Sequence, residues 1–324
     1  MKAIVRITGL VLVLSLASLT TSAVASAEDA GAEQKAILVT GASTGIGRMI
    51  AEVLAENGYF VYAGARKQRD LDALNEIENI QAIRLDVTKQ DEIDAAVQTV
   101  RDGGRGLYGL VNNAGVSGSG GPLIEYDVEE FQWLFDVNVY GVHRVTNAFA
   151  PLIIEAKGRI TTVGSIGGIV SGSYWGPYSM SKHVIEAYTD ALAPELEQFD
   201  VQVSVIEPGR YNSEFSKSAI ALYGELTNAQ KASPYAEYYR SRLESTGDRS
   251  MYKDPHEVAA AAMHALFDDN PKHRYMVVPN LEEAEWTISS AIQEMVQLNE
   301  RQEYTYSREE LIGMLDEAMN PPEE

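Results

Sequence analysis

The sequence predicts one α/β domain, a doubly wound parallel sheet of about seven strands with helices on both faces. Apolar runs alternate with helical stretches from Lys35 to Pro279. Most of these runs are apolar throughout, which is typical of parallel strands covered on both faces. A glycine-rich turn joins the first run to the first helix, and open α/β sheets bind their ligands at such turns.

The predicted elements follow one another in a regular order. The first strand is KAILVT, followed after the turn by the helix RMIAEVLAENG. The next three strands lie in YFVYAGA, QAIRLDV and GLYGLVNNAG, separated by polar, helix-like stretches. A long helix is predicted over roughly residues 128–155, then the strand GRITTVGS, a helix that starts near Tyr178, and the strand VQVSVIEPG. The seventh strand, HRYMVVP, follows an insert of about forty residues.

Composition excludes several classes of function. The 324 residues include 26 Lys and Arg against 47 Asp and Glu, a formal net charge of −21. This charge opposes binding to nucleic acid and to anionic membranes, and we interpret it as a solvated acidic surface. The sequence contains no cysteine, which excludes disulfides, thiolate nucleophiles and cysteine-ligated metals. The five histidines show no metal-binding spacing, so no metal is predicted.

The first 27 residues predict a secretory signal peptide. Lys2 and Arg6 precede ITGLVLVLSLASL, an apolar run of 13 residues, and the segment ends in Ala25-Ser26-Ala27. A charged start, a short apolar run and an A-x-A end are typical of a cleaved export signal. We therefore expect the mature chain to begin at Glu28 and to be periplasmic or secreted. An uncleaved membrane anchor, or a misassigned start and a cytoplasmic protein, are the alternatives.

The glycine-rich turn TGASTGIG predicts a dinucleotide site. Its spacing is G-x-x-x-G-x-G, which differs from the common G-x-G-x-x-G. Gly41 allows a tight turn, and Gly45 and Gly47 allow the backbone and the helix N-terminus to approach a pyrophosphate. A plain glycine turn is the alternative, but the flanking strand and helix favour a binding site. The cofactor-binding residues predicted in this turn are Gly41, Ser43, Thr44, Gly45, Ile46 and Gly47.

The end of the second strand favours NADP over NAD. An NAD site places Asp or Glu about 20 residues after the first glycine, on the ribose hydroxyls. The sequence has Ala65-Arg66-Lys67 there instead, with two cations that suit a 2′-phosphate. Solvated surface charges are the alternative interpretation of Arg66 and Lys67.

Further motifs carry a family resemblance. The third strand ends in LDV, the fourth in NNAG, and the long helix contains VNVYG. Ser165 ends the fifth strand, thirteen residues before the YSMSK stretch that contains Tyr178 and Lys182. With TGASTGIG, these motifs closely resemble the short-chain dehydrogenase/reductase family in its compact, single-domain form. The resemblance extends from about Lys35 to Pro279 and implies a Rossmann-like fold.

The resemblance implies a catalytic tetrad and a complete cofactor site. The tetrad consists of Asn138, Ser165, Tyr178 and Lys182. The cofactor residues implied beyond the glycine turn are Arg66, Asp86, Val87, Asn113, Ala114, Gly115, Pro208, Gly209 and Ser213, together with Tyr178 and Lys182 of the tetrad. Asp86 is expected to hydrogen-bond the adenine amino group, and Ser213 the nicotinamide carboxamide.

The spacing of Tyr178 and Lys182 suits proton transfer. Four residues apart on a helix, they point to the same side. A tyrosine pKa of about 10 is a poor match for chemistry near neutrality, and a neighbouring ammonium lowers it. In the family pattern Tyr178 donates the proton to the developing alkoxide and Ser165 holds the carbonyl. Lys182 also reaches the nicotinamide ribose, and Asn138 supports a water that links Lys182 to solvent.

The insert and the C-terminal segment extend the domain. The dinucleotide-binding domain is predicted over residues 28–279, with 213–254 as the insert that forms the substrate lid in this family. The insert contains Tyr223, Tyr235, Tyr238 and Tyr239, which suit either an apolar substrate site or an ordinary amphipathic helix. Tyr174 and Trp175, before the catalytic helix, suit either a pocket wall or packing. Residues 280–324 are predicted to be a helical extension for packing, a subunit interface or a pocket cover.

The predicted function is NADPH-dependent interconversion of a ketone or aldehyde with a secondary or primary alcohol. The expected substrate is a small, moderately apolar molecule, and the resemblance implies a homo-oligomer, either a dimer or a tetramer. One alternative is a dinucleotide-binding sensor or scaffold without turnover. Another is an epimerase or isomerase on the same fold, which recycles its cofactor.

Overall fold

The computed structural model describes residues 34–215, 225–245, 248 and 250–320. The chain divides into two units, Met1–Glu33 and Gln34–Glu324. The predicted signal peptide and Tyr223 of the insert lie outside the described residues. Over the part that is described, no helix has the length and apolar character needed to cross a membrane.

A seven-stranded sheet, parallel throughout, forms the centre of the second unit. Its strand order is β3-β2-β1-β4-β5-β6-β7. The strands are β1 Ala36–Val39, β2 Phe60–Ala65, β3 Ile80–Arg84, β4 Gly109–Asn112, β5 Arg159–Val163, β6 Gln202–Pro208 and β7 Arg274–Val277. The order reverses between β1 and β4, which is where doubly wound sheets open a crevice for ligands. The predicted doubly wound sheet is therefore confirmed.

Helices connect the strands and extend beyond the sheet. They are α1 Gly45–Glu56, α2 Gln68–Asn75, α3 Gln90–Asp102, α4 Val128–Phe135, α5 Gly141–Glu155, α6 Gly176–Glu197, α7 Asn228–Ala232, α8 Ala236–Glu244, α9 His256–Phe267, α10 Leu281–Asn299 and α11 Arg308–Met319. Short 3₁₀ turns occupy Leu123–Glu125 and Ile166–Gly168. The capping box of Ser307 and Glu310 is formed at the start of α11.

The core explains why the strands are apolar throughout. In β1, Ile37 and Val39 pack on the face that holds α1 and α9, in a cluster with Ile50. Leu38, between them, points to the opposite face and packs with Phe149 of α5. Because successive strand residues point to opposite faces, both faces of β1 are buried.

Several predicted elements have different limits in the structure, and β5 ends at Val163, so Ser165 follows this strand instead of ending it. β3 ends at Arg84, so Asp86 and Val87 follow the strand instead of closing it. The long helix predicted over 128–155 is divided by a π-helical turn, Asp136–Tyr140, between α4 and α5. Gly141 follows this turn and packs closely on Val87, since a Cβ there would lie 2.6 Å from Val87 Cγ2. A π turn carries an extra residue, and turns of this kind often mark functional sites.

Candidate active site

The carboxyl ends of β1 and β4 are tied together by side-chain hydrogen bonds. Thr40 Oγ1 accepts hydrogen bonds from the backbone N–H groups of Asn113, at 2.9 Å, and Ala114, at 3.0 Å. Asn113 Nδ2 in turn donates to the carbonyl oxygens of Thr40, at 2.9 Å, and Gly41, at 3.2 Å. These bonds hold the glycine-rich turn against the NNAG segment.

The glycines of the turn are required for different reasons. Gly41 has a φ of +65°, and a Cβ there would lie 2.8 Å from Ala114 Cα. Gly45 has a φ of +59°, in the left-handed region that glycine tolerates. A Cβ on Gly47 would overlap Asn113 Nδ2 and lie 2.5 Å from the Gly41 carbonyl oxygen. Gly47 therefore lacks a side chain because Asn113 fills that space, a reason that the sequence did not reveal.

The turn after β6 approaches the start of α1. A Cβ on Gly45 would lie 3.1 Å from Ser213 Cβ, so the predicted Ser213 lies directly over the glycine-rich turn. Within the described chain, the Thr44 side chain makes no capping hydrogen bond at the N-terminus of α1. The first N–H groups of this helix are thus not capped by Thr44, and a helix N-terminus favours an anion.

The opposite end of the crevice carries positive charge around Asp86. Burial opposes ionisation of Asp86, but hydrogen bonds from Thr88 and the charge of Arg66 outweigh it and lower the pKa of Asp86. Arg66 Nη1 lies 4.0 Å from Asp86 Oδ2, and the Arg66 side chain is 60% exposed. Arg84 Nη1 donates to the Arg66 carbonyl at 2.6 Å. The sequence motifs did not predict that Arg84 contacts Arg66, although Arg84 ends the third strand beside it.

Ser165 and Tyr178 converge on Gly167. Ser165 Oγ accepts a hydrogen bond from the Gly167 N–H at 3.0 Å. A Cβ on Gly167 would lie 3.3 Å from both Ser165 Oγ and Tyr178 Cε1. The Tyr178 ring also contacts Phe215 edge-on, with 5.5 Å between ring centroids. The hydroxyl of Ser165 and the ring of Tyr178 therefore lie on the same side of this turn.

Lys182 is buried beneath Tyr178. Its side chain donates from Nζ to the Val163 carbonyl at 2.8 Å, and Nζ lies 5.9 Å from the centre of the Tyr178 ring. The residue is only 7% exposed. Burial lowers the pKa of Lys182 to about 8, while the charge of Glu186 acts in the opposite direction. Lys182 is thus a cation at neutral pH that loses its charge within reach of physiological conditions.

Asn138 completes the group from the π turn. Its Nδ2 donates to Val116 O at 2.8 Å and to Ser181 Oγ at 3.0 Å, and its Oδ1 accepts from the Val116 N–H at 2.8 Å. A Cβ on Gly115 would lie 3.3 Å from Asn138 Oδ1 and 3.9 Å from Lys182 Nζ. Gly115 therefore separates the amide from the ammonium without filling the space between them.

Comparison with known proteins identifies the family of this chain. Residues 35–222, more than half of the chain, match the family described as short chain dehydrogenase. The chain belongs to the short-chain dehydrogenase/reductase family. The chemistry of this family, together with that of the relatives named below, makes it a nicotinamide-dependent oxidoreductase of carbonyl and alcohol groups.

Similar proteins include dehydrogenases of two kinds. The chain is 34% identical to retinol dehydrogenase 16 of Mus musculus over 256 residues, covering 75% of this chain and 80% of that protein. It is 33% identical to mitochondrial D-beta-hydroxybutyrate dehydrogenase of Bos taurus over 269 residues, covering 74% and 76%. A solved short-chain dehydrogenase from Streptomyces avermitilis has a TM-score of 0.68 and 28% identity, covering 82% of this chain and 96% of that one.

The C-terminal extension of this short-chain dehydrogenase/reductase holds the loop after β6. Glu283 of α10 is buried, and its Oε2 accepts a hydrogen bond from the Arg210 N–H at 2.9 Å. A Cβ on Gly209 would overlap the same Glu283 oxygen. The extension therefore supports the Pro208-Gly209 turn from outside the sheet, a contact that the sequence did not predict.

The insert is anchored to the loop that follows β4. The Glu125 carboxylate accepts hydrogen bonds from Tyr239 OH at 2.9 Å and from Ser233 Oγ at 2.7 Å. The Tyr174 ring stacks on Tyr238, with 4.1 Å between centroids, and Tyr174 has a φ of +68°. Tyr239 thus connects the insert to the loop after β4, and Tyr238 connects it to the loop before α6.

Proposed function

We propose that this chain is an NADPH-dependent carbonyl reductase and alcohol dehydrogenase in which Tyr178 is the general acid and base. The observation that supports it most is the convergence of Ser165 Oγ and the Tyr178 ring on Gly167, above the buried Lys182 ammonium. A hydrogen-bond donor, a proton donor and a cation in one place are what reduction of a carbonyl requires.

The residues present fit a nicotinamide dinucleotide. The N-terminus of α1, which the Thr44 side chain does not cap, suits the pyrophosphate, and Ser213 of the turn after β6 lies close to Gly45 in the same region. Asp86 and Val87 are the residues proposed for adenine, and Pro208 and Gly209 for the nicotinamide. When bound, the cofactor supplies the hydride.

Each residue of the tetrad has a separate proposed task. Ser165 Oγ already accepts from the Gly167 N–H, which leaves its own proton to donate to the substrate oxygen. Tyr178 donates its phenolic proton to the alkoxide that forms. Lys182 stabilises the phenolate that remains, because its ammonium lies beside the ring. Both amide hydrogens of Asn138 are engaged by protein groups, and its Oδ1 accepts one hydrogen bond. The proposed relay water therefore donates to Oδ1 or to the backbone carbonyl oxygen of Asn138.

The expected substrate is a moderately apolar ketone, aldehyde or alcohol. Aromatic rings surround the loops beside the catalytic helix, including the Tyr174–Tyr238 stack and Phe215 against Tyr178. Of the two relatives described above, one is named for retinol, an apolar alcohol. The other is named for hydroxybutyrate, a short, acidic alcohol. The aromatic surroundings and the net charge of −21 favour the apolar, uncharged class.

A substrate screen with NADPH tests this function. We expect the absorbance of reduced nicotinamide to fall with apolar ketones or aldehydes, and to fall more slowly with short, charged keto acids. Cofactor binding without turnover of any compound would support a sensor or scaffold. Formation of an isomeric product without net oxidation of NADPH would support an epimerase or isomerase.

The cofactor preference is tested at Arg66. We expect Arg66→Asp to shift the preference from NADPH towards NADH, because a carboxylate repels the 2′-phosphate and accepts hydrogen bonds from ribose hydroxyls. The measurement is kcat/KM for each cofactor. Arg69→Asp is the matched control, since Arg69 is exposed and lies beside Asp70. Equal preference in Arg66→Asp and in the unaltered protein would exclude Arg66 from phosphate recognition.

A further inference from the structure

A buried group of charged side chains lies beside the turn after β5. Val163, at the end of this strand, binds Lys182 through its carbonyl oxygen. Glu186 follows Lys182 by one turn of α6, and Glu207 lies near the end of β6. Their side chains are only 12% and 2% exposed. Arg274 of β7 contacts both, with Nε 3.2 Å from Glu186 Oε2 and 3.6 Å from Glu207 Oε1. One guanidinium thus serves two buried carboxyl groups.

The same guanidinium is shared further towards the surface. Arg274 Nη2 lies 2.5 Å from Asp190 Oδ1, and His273 Nε2 lies 2.9 Å from the same oxygen. The Asp190 side chain is 51% exposed. With three carboxylates around one arginine, the group has an excess of negative charge at its buried end.

The buried carboxyl groups lack enough donors to be fully ionised. Among the described residues, Glu186 Oε1 and Glu207 Oε1 have no hydrogen-bond partner. Burial and the neighbouring Glu186 raise the pKa of Glu207 well above its usual range. An unpaired buried carboxylate is costly, and one proton held between two carboxyl groups removes that cost. Glu207 therefore favours its protonated form beside Glu186, and the two residues are called the acid pair below.

The acid pair adjoins the turn that positions Lys182. Glu186 Oε1 occupies the space beside two glycines, since a Cβ would lie 3.1 Å from it at Gly164 and 2.9 Å from it at Gly168. Gly164 directly follows Val163, whose carbonyl oxygen accepts the hydrogen bond from Lys182 Nζ. Because Gly164 and Gly168 lack side chains, the Glu186 carboxylate fits beside the turn after β5.

We propose that the acid pair Glu186–Glu207 is a positioning element that keeps Lys182 cationic. The ammonium then continues to stabilise the Tyr178 phenolate into the alkaline range. The proposal rests on the proposed role of Lys182. At neutral pH the pair carries one negative charge, which opposes the effect of burial on the ammonium. As the pH rises the pair releases its shared proton, and the second negative charge strengthens the attraction.

The sign of the effect follows from these charges. Lys182 loses its proton as the pH rises through its pKa of about 8. Glu186→Gln removes the negative charge nearest to Lys182 on α6, which lowers this pKa further. The alkaline limb of the kcat/KM profile for carbonyl reduction should then move down by about half to one pH unit. Glu207→Gln should move it in the same direction by less, while Arg274 and His273 stay in place.

Two control variants separate charge from structure. Glu186→Asp retains the charge and should leave the alkaline limb close to that of the unaltered protein. Asp190→Asn removes a carboxylate from the same arginine at the exposed end and should not move the limb. Thermal unfolding of each variant shows whether the domain remains folded. An unchanged limb in Glu186→Gln, or an equal shift in Asp190→Asn, would overturn the proposal.

Infrared spectroscopy tests the shared proton without any substrate. The unaltered protein should show the carbonyl stretch of a protonated carboxylic acid at neutral pH, and this band should disappear at alkaline pH. Glu207→Gln should lack the band, because the substitution removes the carboxyl group whose pKa is raised. Absence of the band in the unaltered protein would refute the acid pair. If no substrate is turned over, the proposed function fails, while this spectrum still decides on the pair.

Discussion

Tyr178→Phe is expected to reduce turnover by about two to four orders of magnitude and to leave NADPH affinity nearly unchanged. The substitution removes only the phenolic oxygen. The ring that contacts Phe215 at 5.5 Å and adjoins Gly167 remains in place. Lys182 retains its bond to the Val163 carbonyl, so the shape of the site is preserved while the proton donor is lost. Steady-state turnover and NADPH fluorescence titration measure the two quantities.

Tyr188→Phe is the matched control for this experiment. Tyr188 lies on the same helix, α6, and is also partly buried, with a pKa that burial raises. It packs against the cluster of Val142, Ile185 and Val205. Turnover should stay within about twofold of the unaltered protein, since no catalytic group is removed. Near-normal turnover in Tyr178→Phe would mean that another group donates the proton.

Gly47→Ala is expected to destabilise the domain by about 1–3 kcal/mol and to weaken NADPH binding strongly. The new Cβ would overlap Asn113 Nδ2 and lie 2.5 Å from the Gly41 carbonyl oxygen. Neither neighbour can move easily, because Asn113 Nδ2 donates to both Thr40 O and Gly41 O. Relief of the overlap must separate the glycine-rich turn from the NNAG segment. Chemical denaturation and NADPH titration measure the two effects.

Gly313→Ala provides the control for Gly47→Ala. Gly313 lies within α11, and a Cβ there would meet no atom within 4 Å. Alanine is the better helix former by about 1 kcal/mol, so this variant should be as stable as the unaltered protein or slightly more so. Equal stability of both alanine variants would show that the turn has more room at Gly47 than these distances allow.

The motifs that depend on local spacing were predictable. Tyr178 and Lys182 share one helix face because they are four residues apart, whatever surrounds the helix. The turn from Gly41 to Gly47 lies between the first strand and the first helix, and the order of apolar runs predicts a parallel sheet. These features depend on neighbours in the sequence, so the fold could be predicted, while the catalytic roles of the tetrad stay predictions. NADP preference and the N-terminal signal peptide remain predictions.

Other features depend on residues far apart in the chain. Arg274 of β7 contacts both Glu186 of α6 and Glu207 of β6. Glu283 of the C-terminal extension binds the Arg210 N–H, 73 residues away. In the sequence each of these carboxylates resembles any other acidic residue of a chain with 47 of them. Only the packing of distant elements shows which ones are buried.

The sequence alone therefore determined the sheet, the glycine-rich turn and the shared helix face of Tyr178 and Lys182, because hydrophobic pattern and helical spacing are local properties. The tertiary structure decided the surroundings of Tyr178 and Lys182. It buried the Lys182 ammonium, placed Asn138 in a π turn and brought the buried Glu186 and Glu207 to Arg274. Burial and the distance between charges set the pKa values of these groups, and both arise only when the chain is folded.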